Sequence, residues 1–286
     1  MRNRIFMTIL LATLTTLMVQ AVGKYALVIG IGPYPAKGGW NLINGDKDIP
    51  AVLDLLQVNG FQSKDIATLK NEKATCAAIQ AEFYKLINKV NKGDVVYIHF
   101  SGHGQQITDV HGDEEDGYDE AWIPYDAART YKKGVYEGQN HIIDDQLNLW
   151  LTSIRGKIGD EGKIVVVADA CHSGEMTRSV TDTVKVVVRG TSDLFKIPGE
   201  FPQYTISNQN SVQWVQISAC KSYQCNFEYN GMGSLTYALC QQKGQLGSLS
   251  NATLLNRIKG TIKQVVPFTQ SPTMDIPVDS KEDKVF

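Results

Sequence analysis

Three segments of the chain are nearly continuous in apolar residues, and helical patterns lie between them. They are "KYALVIGI" (24–31), which ends at Gly32 and Pro33, "DVVYIHF" (94–100) and "GKIVVVADAC" (162–171). A strand without polar alternation is one buried on both faces. Between the first two, Val52, Leu53 and Leu56 mark a helix that stops at Gly60, and "IATLK" (66–70) reads as a further, brief strand. From Thr75, an N-cap candidate, Ile79, Phe83, Leu86 and Val90 keep the spacing of an amphipathic helix that ends near Gly93. "QLNLWLTSI" (146–154) predicts another helix. Strands alternating with helices predict an α/β fold, a mostly parallel sheet covered on both faces, with ligands bound beyond the carboxyl ends of its strands.

After Cys171 the pattern lapses. Residues 173–212 mix Thr, Ser and Asn with Lys, Arg, Pro198 and Pro202, and only "VKVVV" (184–188) suggests a short hairpin strand. It resumes with "VQWVQISAC" (212–220) as a strand, then "GSLTYALCQQ" (233–242) and "NATLLNRIKGTIKQVV" (251–266) as helices. No repeat or low-complexity tract interrupts it, so the expectation is one domain over 24–286 with a long internal loop, of the kind that is functional or cut.

Composition narrows the function. With 43% hydrophobic residues and a net charge of −2, the chain is an ordinary globular protein, without the concentrated Lys and Arg that nucleic acid or an anionic membrane requires. Its start, "MRNRIFMTILLATLTTLMVQAVGKY", has Arg2 and Arg4, then an apolar run from Ile5 to Val19, then the small residues Ala21 and Gly23. This is the pattern of a secretory signal spanning 1–21, cleaved after Ala21 or alternatively Gly23. The run is shorter than the roughly 20 residues a membrane span needs. The expected location is therefore secreted or periplasmic, with no membrane partner after cleavage. Cys76, Cys171, Cys220, Cys225 and Cys240 form neither a disulfide framework nor a zinc spacing, and their odd number leaves at least one thiol unpaired.

Two strand ends carry chemistry. His103 stands in "SGHGQ" after one and Cys171 in "DACHSG" at the end of another. A thiol with a pKa of roughly 8.5 is mostly protonated at neutral pH, and a nearby imidazole can take its proton and later protonate a leaving amine. If the two strands are neighbours the side chains converge, and Gly102 and Gly104 would allow a sharp turn and a close backbone approach. His172 is the competing base, but its adjacency to Cys171 makes convergence awkward, which favours a structural or substrate-facing role. By the period of two, His99 lies within its strand on the face of Ser101 and is expected to be packed. Asp169 precedes Cys171 by two residues and Asp48 begins the helix after the first strand. Carboxylates beside a nucleophile repel acidic side chains and pair with cationic ones. Asp48 could equally serve the helix dipole.

"YIHFSGHGQQ" with "VVVADACHSGEM" resembles the paired His and Cys motifs of the caspase-like superfamily, and of metacaspases and their bacterial relatives in particular. "NGDKDIPAVLDLLQVNGF", "DGYDEAWIPYD", "VQISACKSYQCNFE" and "MGSLTYAL" extend the resemblance over most of the chain. It implies a caspase-like three-layer αβα sandwich, with a large-subunit-like part at 24–175, a loop at 176–212 and a small-subunit-like part at 213–286. It implies a cysteine endopeptidase in which Cys171 attacks, His103 is general acid and base, the amides of Gly104 and Cys171 form the oxyanion hole, and no third member is required. Asp48, Ser101 and Asp169 are then the primary specificity pocket, and the substrates are proteins or peptides cut after Arg or Lys. Self-cleavage is expected at Arg178, Lys185, Arg189 or Lys196, or between Arg129 and Lys133. No cofactor is needed for the chemistry.

The acidic run "DEEDGYDE" (113–120) lacks the register of an EF-hand. By the same resemblance, Asp119, Asp144 and Asp145 look like the positions through which several metacaspases bind calcium. The acid those enzymes carry after the catalytic cysteine has no clear match, Arg178 lying near it, and a solvated surface loop is the alternative. The chain is expected to be a monomer. A catalytically silent binding or scaffold domain, and a peptidase of the clostripain or gingipain type, are the competing readings.

Overall fold

The computed structural model describes residues 22–172, 187–202, 212–278 and 280–286. The expected signal segment lies outside them, as does most of "VKVVV". In chain order the elements are β1 (Lys24–Gly30), α1 (Gly45–Val58), β2 (Ile66–Lys70), α2 (Cys76–Lys89), β3 (Val95–Ser101), β4 (Gly104–Thr108), β5 (Tyr118–Trp122), β6 (Ile142–Ile143), α3 (Asp144–Ile158), β7 (Lys163–Asp169), β8 (Val215–Ser218), β9 (Glu228–Tyr229), β10 (Met232–Gly233), α4 (Ser234–Cys240), α5 (Asn251–Val265) and β11 (Thr273–Asp275).

Six strands form the central sheet in the order β11-β8-β7-β3-β1-β2. All neighbours are parallel except β11, which runs antiparallel to β8 at the edge. The apolar runs β1, β3 and β7 occupy the middle, where both faces are covered. On one face α2 and α3 pack Ile79, Phe83, Trp150, Leu151 and Ile154 against Leu27, Ile29, Ile98 and Val166, with the Phe83 and Trp150 rings stacked at 4.5 Å. On the other, α1, α4 and α5 pack Val52, Leu56, Leu239, Leu254 and Ile258 against Val28, Val165, Val167 and Ile217. The result is the three-layer αβα sandwich with a mostly parallel sheet. Thr75 caps α2 as its sequence suggests, its hydroxyl accepting from the Ala78 amide. Among the described residues no helix is long and apolar enough to cross a membrane.

A smaller antiparallel sheet, β4-β5-β6, has no counterpart in the hydrophobic pattern. Its strands "GQQIT" and "YDEAW" are too polar to register as buried, yet Gln105 and Asp119 lie inside. Trp122 fastens this sheet to the main one by stacking on Phe100, with ring centroids 4.6 Å apart and planes 5° from parallel.

Candidate active site

β3 and β7 are neighbours, paired in parallel so that Ser101 lies opposite Asp169. Two residues further along, the strands lead to His103 and Cys171 at the same end of the sheet. Gly102 and Gly104 have no left-handed backbone, contrary to the expected sharp turn. What they supply is space: a Cβ on Gly102 would lie 2.6 Å from the Phe100 ring, and one on Gly104 2.6 Å from the carbonyl oxygen of Cys171.

His103 is buried against Trp40 and Tyr34, with ring centroids at 4.9 and 5.1 Å. Its Nε2 bonds the Asn41 carbonyl at 2.9 Å, so Nε2 carries the proton, and Nδ1 keeps a lone pair with no partner among the described residues. Its amide donates to the Tyr34 hydroxyl, which donates to the Ile123 carbonyl. Burial lowers its pKa to about 4, although the Asn41 carbonyl pulls the other way; Arg189 and Arg129 lower it further. His103 is therefore a neutral base near pH 7. The sequence named no group to orient it, and a backbone carbonyl leaves no signature in a sequence.

Cys171 is buried, and its neighbour is a thiol rather than the disulfide partner of an exported protein. Cys220 is hydrogen-bonded to Cys171 and donates to the Gln224 carbonyl at 3.1 Å. That contact, then burial, raises the Cys220 pKa far above the ordinary thiol range, so Cys220 stays protonated. Cys76, Cys220, Cys225 and Cys240 are free thiols. His172 is half-buried and neutral, its pKa lowered to about 4 by desolvation.

Asp48, Ser101 and Asp169 converge behind this pair, each 0% exposed. Asp48 accepts from Ser101 Oγ at 2.8 Å and from the Gly233 amide at 3.1 Å. Asp169 accepts from Asn226 Nδ2 and the Thr236 amide, both at 2.7 Å, and from the Thr236 hydroxyl. His99 is packed as expected, and it also bonds both hydroxyls that serve these acids, Ser101 Oγ at 3.0 Å and Thr236 Oγ1 at 3.1 Å, with Tyr97 on its other nitrogen.

The pocket is filled by the chain itself. Arg189, 0% exposed, places Nη1 2.6 Å from Asp48 and 3.6 Å from Asp169, and Nε 3.1 Å from Glu228. Glu228 was not named as a pocket residue, although it ends the segment "VQISACKSYQCNFE" that carries part of the family resemblance. Residues 187–189 run along it as an added strand: the Glu228 amide donates to the Val187 carbonyl and the Arg189 amide to the Asn226 carbonyl, both at 3.0 Å. The Arg189 carbonyl accepts from the Cys171 amide at 2.8 Å. Gly190 lies beside Gly104, and so near Cys171 that a Cβ on Gly190 would be 2.4 Å from Cys171 Sγ. Of the other expected cleavage positions, Arg178 and Lys185 lie outside the described residues, Lys132, Lys133 and Lys196 are exposed, and Arg129 pairs with Asp193.

Asp119 and Asp145 converge with Asp113, which opens the acidic run but is not among the three expected ligands, their oxygens within 4.8 Å of one another. Asp144 stands close enough to raise the Asp119 pKa, but it is not in that trio. Burial first, then Asp144 and neighbouring acids, pushes Asp119 up to about 8; burial and Glu120 push Asp144 to about 7. Oxygens of Asp113, Asp119 and Asp144 are buried without a hydrogen-bond partner among the described residues. Unpaired acidic oxygens facing one another fit a hard cation.

The caspase-domain family model matches residues 23–280. Metacaspase-1A of Aspergillus fumigatus is 31% identical over 159 residues, 53% of this chain and 35% of that protein. Metacaspase-1 of Pyricularia oryzae is 28% identical over 163 residues, 54% of this chain and 38% of its own. The chain thus spans little more than a third of the curated relatives it matches. A crystal structure of a Geobacter sulfurreducens protein, 21% identical, shares the fold with a TM-score of 0.64 over 91% of this chain and 96% of its own.

Arg189 supplies a test of the pocket. Replacing it with Ala leaves three buried carboxylates facing one another and should cost about 3–5 kcal/mol, roughly 10 °C of Tm in a chain of this size. Without the guanidinium these acids bind protons more tightly folded than unfolded, so the variant regains stability as pH falls. Thermal unfolding of Cys171→Ala and Cys171→Ala/Arg189→Ala proteins should show a Tm gap that narrows between pH 7.5 and pH 5.

Proposed function

The chain belongs to the caspase-domain family, and from that premise we propose that it is a cysteine endopeptidase that cleaves after arginine or lysine and processes itself at Arg189–Gly190. The observation that carries this reading is Arg189, held by Asp48, Asp169 and Glu228 with its carbonyl on the Cys171 amide. A buried site with three acids favours a cation and rejects an acidic side chain. The basic start and apolar run of residues 2–19 support export, and proteins or peptides carrying Arg or Lys are the substrates.

In the reaction Cys171 Sγ attacks the carbonyl carbon of the arginine, and the thiol proton passes to His103 Nδ1. The oxygen takes the negative charge, held by the amides of Cys171 and Gly104, each donor contributing roughly 3 kcal/mol. Collapse breaks the C–N bond while His103 returns the proton to the leaving amine. A water deprotonated by His103 then hydrolyses the thioester, releasing the arginine carboxylate and the thiol.

Purified wild-type protein should yield a fragment beginning at Gly190 on N-terminal sequencing, and Cys171→Ala should remain one chain. Short arginyl and lysyl fluorogenic peptides should be cut, and an aspartyl peptide at least about a thousandfold more slowly, the equivalent of about 4 kcal/mol. An active enzyme that prefers the aspartyl peptide would sink the reading.

Asp48 gives the specificity a pH limb. Burial raises its pKa to about 6, against the pull of Arg189. Below pH 6 it takes up a proton and ceases to attract the guanidinium, so KM for arginyl peptides should rise there. Asp48→Asn should remove that limb and raise KM at pH 7.5 about tenfold, roughly 1.4 kcal/mol.

Asp113, Asp119 and Asp145, with Asp144 behind them, support calcium as an activator; bound, it would neutralise repelling carboxylates. Because burial and neighbouring acids hold Asp119 at about 8 and Asp144 at about 7, above the unfolded value of about 4, the ion-free protein gains stability as pH falls through 8 to 7, and protons compete with the ion. At pH 7.5 calcium at a hundred times Kd should raise the Tm of Cys171→Ala protein by roughly 5–10 °C. The shift should vanish at pH 5 and in Asp119→Asn; a shift that survives both would exclude this site.

A further inference from the structure

Beyond Arg189 the chain stays in the cleft. Gly190 and Phe195 form parallel bridges to Gly104 and Ile107, at the two ends of β4 that face this segment. The Phe195 amide donates to the Gln106 carbonyl at 2.8 Å, and the Thr108 amide donates to the Phe195 carbonyl at 3.0 Å. The Asp193 carboxylate pairs with the Arg129 guanidinium at 2.6 Å, and its carbonyl accepts from Gln105 Nε2 at 2.8 Å. The Phe195 ring, 0% exposed, lies 4.5 Å from the ring of His141, edge-on to Tyr136 at 5.7 Å, and 6.2 Å from Tyr131.

Buried polar groups hold this socket in one arrangement. Tyr136 is kept protonated by burial and His141 is kept neutral, its pKa lowered to about 3. The Tyr136 hydroxyl therefore donates to His141 Nδ1 at 2.8 Å, and His141 Nε2 donates to Gln105 Oε1 at 3.0 Å. This aims the Gln105 amide at two carbonyls, those of Asp193 and Arg129. Main-chain bonds along β4 accept any sequence; the guanidinium and the aromatic socket do not.

We propose that β4 with Gln105, Arg129 and the socket of Tyr131, Tyr136 and His141 is a second recognition site on the leaving side of the cleaved bond. It selects polypeptides with glycine directly after that bond, an acid at the fourth position and an aromatic at the sixth. Residues 190–195 are its resident ligand. The glycine requirement follows from the 2.4 Å approach of a Cβ to Cys171 Sγ. The acid contributes less than the ring, because Asp193 is half exposed while Phe195 excludes water. This inference rests on the reading of Arg189–Gly190 as a cleavable bond.

The test uses quenched decapeptides with the sequence of residues 187–196, one unchanged, one with Ala for its Phe and one with Ala for its Asp. A short arginyl reporter that ends at the leaving group serves beside them. Each is assayed on self-processed wild type and on Phe195→Ala, in which the resident ring no longer competes. Loss of the Phe should lower kcat/KM about thirtyfold and loss of the Asp about threefold. Equal values for the Phe and Ala peptides in both proteins, with the short reporter cut, overturn the second site and leave the arginine reading intact. Failure of the short reporter and every decapeptide overturns the arginine reading and this inference with it. The peptide contrast on wild type stands by itself if Phe195→Ala does not fold.

Discussion

A guanidinium with no contact with water holds three carboxylates from three separate elements: Asp48 from α1, Asp169 from β7 and Glu228 from β9. At an effective dielectric of about 20, two like charges 4 Å apart repel by about 4 kcal/mol, so these acids cannot share a dry pocket as anions without a cation between them. Arg189 alone does not balance the charge. The remainder is met by donors: Ser101 and Gly233 on Asp48, Asn226 and Thr236 on Asp169, Asn44 on Glu228. Gly233 belongs to this arrangement because a Cβ there would lie 2.2 Å from an Asp169 oxygen and 2.5 Å from the guanidinium.

The same ion pair sets the backbone. With the side chain anchored and residues 187–189 paired to 226–228, the Arg189 carbonyl accepts from the Cys171 amide. His103 meets this point from the neighbouring strand, held by a carbonyl, a phenol and the Trp40 ring rather than by a charged partner. Neutral surroundings leave the imidazole uncharged, since a carboxylate there would hold the imidazolium. The neutral His99 works in the same way one turn of the pleat earlier, feeding both pocket acids without adding charge.

Much of the fold was legible for a simple reason. β1, β3 and β7 lie between two helical layers, so both faces needed apolar side chains and the runs stand out. β4 and β5 were not legible, because Gln105 and Asp119 are buried for their polarity, and pattern reading takes polar residues for surface. In the site, Asp169 could be named from its place two residues before Cys171 and Asp48 from the start of its helix, and Ser101 through the family resemblance alone. Asp113 lies in the acidic run, and Cys220 and Glu228 in a segment that carries the resemblance, but nothing within those segments separates them from the other acids and thiols there. The Asn41 carbonyl had no side chain to read.

By itself the sequence determined the central strands and their helical cover, and it put a histidine and a cysteine at the ends of two of those strands. Those properties follow from local periodicity and the burial it demands. Only the tertiary structure decided that β3 and β7 are neighbours in register, that Asp48, Asp169 and Glu228 share one cation, and that the cation is this chain's own Arg189. Each depends on contacts between residues dozens to well over a hundred positions apart, 141 for Arg189 and Asp48. Such contacts are selected by charge balance and packing in three dimensions, and no local pattern records them.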